Sequence, residues 1–261
     1  MKYTYKFIFC LFIIVLITGL TQAQINTEKL RSKTTENGFN GNAGVEFGLN
    51  KGNSNYLSVN GNLRLDYLIN RLDFFLVSNY EYKEGNGQKI IYQGFMHLRC
   101  VIPLSGRTFL EFFTQKEFND FILLNDRNLI GSGLRFNILN PVSNTEISSG
   151  IKIYLGIGAM FENEVYNTQP LGIKKNLIRS TNYLDFYWQA DSLMKFSFVN
   201  YFQPYVLSIK NFRWLADTNL KFHISKNFSF ITHFTLRYDN QPVANLKKYD
   251  LELTNGISVQ F

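Results

Sequence analysis

Cysteine is almost absent from this chain: there are two in 261 residues, and one of them, Cys10, lies inside an amino-terminal apolar run. Only Cys100 is left elsewhere, so an intramolecular disulfide is excluded, and a lone cysteine on a strand reads as buried filler. Three histidines, with neither Cys-x-x-Cys nor His-x-x-x-His spacing, give no basis for a metal centre. Proline is scarce, 5 residues, and no Pro/Gly/Ser linker or low-complexity tract divides the chain, which argues for one large domain. Past the first twenty residues no apolar run approaches the ~20 residues that a membrane-spanning helix needs. The net charge is +7, but no basic run is interleaved with exposed aromatics, so nucleic acid is not an expected partner. Lysines and arginines near strand ends suit anionic lipid headgroups instead.

What is present in excess is aromatic: 25 Phe and 15 Tyr bring the aromatic share to 16%. At the amino terminus, Lys2 and Lys6 precede an apolar run from Phe7 to Leu20, closed by Thr21-Gln22-Ala23. That is the pattern of a secretory signal peptide, residues 1–23, with cleavage expected after Ala23. The expected organisation is therefore a signal peptide at 1–23, a periplasmic segment at 24–37 and one all-β domain at 38–261.

The domain is read from its period. Phe39, Ala43, Val45, Phe47 and Leu49 alternate with Asn40, Asn42, Glu46 and Asn50, and Leu57, Val59, Leu63, Leu65 and Tyr67 alternate with Ser58, Asn60, Asn62, Arg64 and Asp66. A period of two is a strand. Carried to the end, it predicts about twelve strands at 38–50, 56–68, 72–83, 89–102, 107–118, 128–138, 150–162, 179–190, 193–203, 211–224, 228–238 and 249–261. Those at 89–102 and 107–118 are apolar on both faces, which leaves their register open. The strands match the ~9–11 residues of a tilted membrane strand better than the ~5–6 of soluble sheets.

The polar faces carry many charges, too many for a dry core but suited to a wet lumen. The fold class expected is a transmembrane antiparallel up-and-down β-barrel in a bacterial outer membrane, with outer-membrane lipid and lipopolysaccharide as its surroundings. The lumen-lining candidates are Glu46, Arg64, Glu81, Arg99, Glu111, Arg135 and Lys152. Aromatics such as Tyr80, Tyr82, Tyr92, Phe112, Phe186, Trp188, Phe202, Phe212, Trp214 and Tyr238 fall on the opposite faces, several near strand ends where interfacial girdles sit. Placing the first strand's start in the periplasm gives mostly short periplasmic turns. The outer loops are then 51–55, 84–88, 119–127, 162–178, 204–210 and 239–248.

The stretches "GNAGVEFGLNKGNSNYLSVNGNLRLDYL", "FLEFFTQKEFNDFILLNDRNLIGSGLRFNI" and "YLGIGAMFENEVYN" resemble small outer-membrane barrels of unknown function called salt-induced outer-membrane proteins. The elements that carry the likeness are a Gly-Asn-Ser turn after the first strand, the pair Asp126-Arg127, the strand with Gly131-Ser132-Gly133, and a Gly-rich strand ending in Glu162. The resemblance implies a location and an architecture; it brings no activity and no catalytic residues.

The residues themselves define no catalytic set and no cofactor site. A barrel-embedded hydrolase needs a Ser-His-Asn type set on the lipid-facing wall, whereas His97, His223 and His233 all fall with the inward set. Two readings stay open: a narrow pore for small solutes, with selectivity set by lumen charges, or a closed structural or binding barrel without transport. The favoured expectation from sequence is the pore. Finally, the ending Thr254-x-Gly256-x-x-Val259-x-Phe261 looks like the insertion signal read by the barrel-assembly machinery, which is thereby an expected partner.

Overall fold

The computed structural model describes residues 28, 31, 37–140, 150–190, 193–225 and 227–259. The expected signal peptide, most of the segment at 24–37, the turn within 141–149 and Phe261 lie outside them.

Twelve strands form one antiparallel sheet in sequence order: β1 (Gly38–Asn50), β2 (Tyr56–Ile69), β3 (Leu72–Gly85), β4 (Gln88–Ser105), β5 (Thr108–Asn119), β6 (Leu124–Leu139), β7 (Gly150–Tyr166), β8 (Ile173–Gln189), β9 (Met194–Tyr205), β10 (Ser208–His223), β11 (Phe228–Asp239) and β12 (Tyr249–Val259). Each strand pairs with the next, an all-β up-and-down topology. Among the described residues no ladder joins β12 back to β1.

Two hairpins show how local chemistry fixes register. Asn70 and Arg71 (φ 47° and 73°) join β2 to β3, and Asn86 and Gly87 (φ 51° and 77°) join β3 to β4. Positive φ at both central residues is the turn whose twist matches paired strands, and Asn-Gly is its preferred sequence. The second turn corrects the expected outer loop at 84–88, which is a two-residue hairpin. Likewise Tyr205 pairs with Ser208, so most of the expected loop at 204–210 is strand. The expected loop 162–178 shrinks to the residues between Tyr166 and Ile173, because β7 and β8 run on past their expected ends. Outer connections are therefore not uniformly the longer ones.

The sheet is strongly curled. Strands lie about 4.8 Å apart, so in a flat sheet β4 and β9 would be separated by roughly 24 Å. Yet Arg99 on β4 and Tyr201 on β9 reach the same carboxylate, that of Glu28, and Tyr183 on β8 reaches Glu111 on β5 at 3.2 Å. The polarity of the two faces is the reverse of a soluble sheet. On the convex face Ile130, Ile157 and Trp214 are 62%, 60% and 41% exposed, with Leu98, Phe112, Phe161 and Ile178 beside them in the same condition. On the concave face Arg99, Glu111, Arg127, Glu162, Glu164, Arg179, Arg213 and Asp217 are buried.

The doubly apolar strands are settled by this contrast: β4 points His97 and Arg99 inward and Met96 and Leu98 outward, while β5 buries Glu111, Gln115 and Glu117 and exposes Phe112. Outward aromatics pair near both rims: Phe39 stacks on Tyr67 with centroids 4.2 Å apart and Phe186 meets Phe196 at 6.0 Å near one, and a second set lies near the other. Tyr92 packs on Phe118 with ring centroids 4.7 Å apart, and Phe212 contacts Phe202 and Tyr238 at 5.4 and 5.7 Å. At that rim the connection between β11 and β12 folds over the concave face, where Val243 and Leu246 pack against Leu124 and Tyr166.

Candidate functional site

The concave face holds two layers of ion pairs. The layer nearer the rim just described is borne wholly by strands and lies where alternating positions on β5 to β8, β10 and β11 converge. Glu162 on β7 is its hub. It accepts from Arg127 on β6, from Arg179 Nε on β8 at 2.8 Å and from Arg213 Nη1 on β10 at 3.2 Å. Arg213 also grips Glu164 through two nitrogens, at 2.7 and 3.1 Å, and Asp239 at 2.9 Å, while Arg127 Nη1 donates to Glu117 at 3.0 Å. A second carboxylate, Asp217, takes Thr235 Oγ1 at 2.9 Å and pairs with Arg237 at 3.2 Å. Charges out of water are tolerated only when they are well paired; here Arg213 and Glu164 form a fork, while Arg127 Nε reaches Glu164 as an ion pair at 3.4 Å.

The other layer lies toward the opposite rim and is only partly strand-borne. Arg99 Nη1 on β4 donates to Glu111 on β5 at 3.2 Å, and Arg135 Nη2 on β6 donates to Asp185 on β8 at 3.2 Å. Between the two arginines sits Glu28, which precedes β1 and is followed by Arg31 on the same short turn. Arg99, Arg135 and Arg31 all bond its carboxylate, with Arg31 Nε at 2.6 Å, and Arg31 in turn reaches Glu111. Tyr201 Oη donates to it at 3.4 Å. Burial pushes the Glu28 carboxyl up, but Arg31, Arg135 and Arg99 outweigh that and hold it well below the usual carboxylate range.

Between the layers is a cavity of about 40 Å³ lined by His97, Phe113, Met160, Tyr183 and Leu215 among others. At ~10–15 Å³ of such volume per water it has room for about three waters. Its wall is narrowed where Gly156 lets the Tyr183 ring lie against the β7 backbone; a Cβ there would collide with Tyr183 Cε1.

Of the lumen-lining candidates, Arg99, Glu111 and Arg135 come together around Glu28. Arg64 pairs with Asp66 at 2.7 Å and lies over the Phe75 ring that Arg31 and Arg99 also face, while Glu81 pairs with Lys83 at 2.7 Å. Glu46 sits on exposed β1, where Asn60 Nδ2 donates to it at 3.4 Å, and Lys152 is half-buried opposite Tyr187. Thr254, Gly256 and Val259 lie on β12, where Gly256 pairs with Ile231 and Val259 with Phe228. Residues of the two layers that are not among the lumen candidates include Glu28, Glu117, Arg127, Glu162, Glu164 and Arg179. All but Glu28 fall in expected loops or at expected strand tips. Continuing the alternation Phe161, Glu162, Asn163, Glu164, Val165, Tyr166 finds two of them.

These features define a class: an all-β protein with one curled twelve-stranded up-and-down sheet, apolar outside and ionic within. The chain belongs to the family described as "Protein of unknown function, DUF481", which matches residues 42–261. No curated protein matches it.

Proposed function

We propose that the protein is an outer-membrane β-barrel, closed between β1 and β12, whose interior is shut in this state, so that it acts as a structural or binding barrel and not as an open diffusion channel. The observation that carries this is the single carboxylate of Glu28 touched from β4, β6 and β9 at once: side chains span the full width of the interior. The membrane part is supported by the exposed apolar convex face, far beyond the patches a soluble monomer leaves bare. Unpaired edges on β1 and β12 are untenable in lipid, which favours their closure. The signal-peptide pattern at 1–23, the ending Thr254-x-Gly256-x-x-Val259-x-Phe261 and the likeness to salt-induced outer-membrane proteins support export and insertion by the barrel-assembly machinery.

A pore of the kind expected from composition would require both ionic layers to part. Protein refolded in detergent and shown to be folded by heat-modifiable migration is tested in planar bilayers. No conductance steps are expected; regular steps would restore the pore. A species stable in buffer without detergent would remove the membrane reading altogether.

A further inference from the structure

The two layers differ in who supplies the central carboxylate. Glu162 belongs to the sheet, whereas Glu28 arrives from outside it and yet is wholly buried. Its receptors are set independently of it. Arg99 and Arg135 are 3% and 7% exposed, each is held by a strand carboxylate at 3.2 Å, and Tyr201 is packed against Tyr183 with centroids 5.1 Å apart. The Arg135 guanidinium is further fixed 4.0 Å over the ring of Tyr154. A carboxylate has two oxygens and about four acceptor positions. At Glu28 one oxygen takes Arg99, Arg31 and Tyr201, and the other takes Arg135 and Arg31. The sheet thus builds a receptor with the shape and charge of a carboxylate's partner, and the chain fills it with a group it does not need for any strand pairing.

We propose that Arg99, Arg135 and Tyr201 form a carboxylate-binding site on the concave face, which Glu28 fills as a tethered occupant and which accepts a free carboxylate once Glu28 is removed. Arg31 seals the site by bonding both Glu28 and Glu111, so the segment docks through two opposite charges. The site exists on the concave face whether or not the convex face meets lipid, so it stands apart from the membrane reading.

The experiment uses full-length refolded protein and the variant Glu28→Ala, with acetate as the probe. Trypsin cleavage after Arg31, followed by mass spectrometry, reports docking: it is expected to be slow in the native chain and at least roughly tenfold faster in Glu28→Ala, since cleavage follows the population of the open form. Acetate is expected to raise the thermal transition of Glu28→Ala in a saturable way and to leave the native chain unchanged. Chloride at equal ionic strength, which cannot bridge two guanidinium groups as a planar fork does, is expected to have no such effect. The double variant Glu28→Ala/Arg135→Ala loses the response.

The proposal is overturned if acetate acts on the single and double variants alike, if chloride matches acetate, or if Arg31 is cut as fast in the native chain as in the variant. Where Glu28→Ala does not refold alone, its refolding yield with and without acetate decides the same point: a yield that acetate raises supports the site, and one that acetate leaves unchanged overturns it. Glu28→Gln, which keeps the shape but not the charge, is expected to show the same loss of protection. Heat-modifiable migration of each variant reads the barrel separately, so loss of the site and loss of the barrel are told apart.

Discussion

The two ionic layers use the same chemistry with opposite dependencies. Around Glu162 every partner is placed by β-register, so three arginines meet one carboxylate as soon as β6, β7, β8 and β10 are paired. Around Glu28 the receptor residues are placed by register but the carboxylate is delivered by a segment that pairs with no strand among the described residues. The first layer is therefore part of the wall, and the second is a lock with its key on a tether. Identical ion-pair geometry does not imply identical permanence.

That difference should appear most strongly in stability. Glu162→Ala takes from buried Arg179 the carboxylate it pairs with, while Arg127 keeps Glu117 and Arg213 keeps Glu164 and Asp239; the uncompensated buried charge at Arg179 costs about 3–5 kcal/mol. Glu28→Ala should cost about 1–3 kcal/mol, because Glu111 and Asp185 still serve the same arginines. Denaturant unfolding of both variants checks the order, and equal losses would erase the distinction between wall and tether. Next in size is the contrast between the faces. Ile130→Arg on the convex side should destabilise the bilayer-embedded protein by about 2–4 kcal/mol, the cost of a midplane cation. The same change in a protein that is soluble would be nearly silent, so unfolding from vesicles decides it.

A smaller effect sharpens how the layers are kept apart. Gly156→Val should cost about 1–3 kcal/mol by overpacking against Tyr183, whose hydroxyl lies 3.2 Å from Glu111. The near-UV tyrosine signal should change along with the unfolding midpoint. The smallest expected effect is that of mild acid. A carboxyl held below its ordinary value contributes stability that is present above that value and is lost only as pH falls through the lower, folded one. Docking of Glu28 should thus persist at about pH 4.5, near the ordinary carboxyl value, and give way only in stronger acid. Trypsin being unusable there, the tyrosine signal from Tyr201 follows it, and release already at about pH 5 would break the account.

Strand existence and facing were legible because period two is local: each residue's face follows from its neighbours, as with Arg213, Trp214 and Leu215. Strand ends were not, since charged residues at a rim look like loop. Glu162 and Glu164 continue β7, but their polarity suggests a loop that the structure reduces to a few residues. Asn86-Gly87 carries a clear hairpin signal, yet it sits inside a polar stretch that alternation alone reads as loop. Arg99, Glu111 and Arg135 were legible as inward charges, yet their shared partner was not. Glu28 meets Arg99, Arg135 and Tyr201 across 71, 107 and 173 residues of sequence, and no local pattern encodes such a meeting.

Those separations also bear on the order of events in folding. Every ladder joins a strand to its immediate successor, so hairpins can accrete one after another with low loop-closure cost. The carboxylate of Glu28 has no complete destination until Tyr201 on β9 is in place. Its seating therefore waits on a sheet already grown past β9, whichever strands pair first.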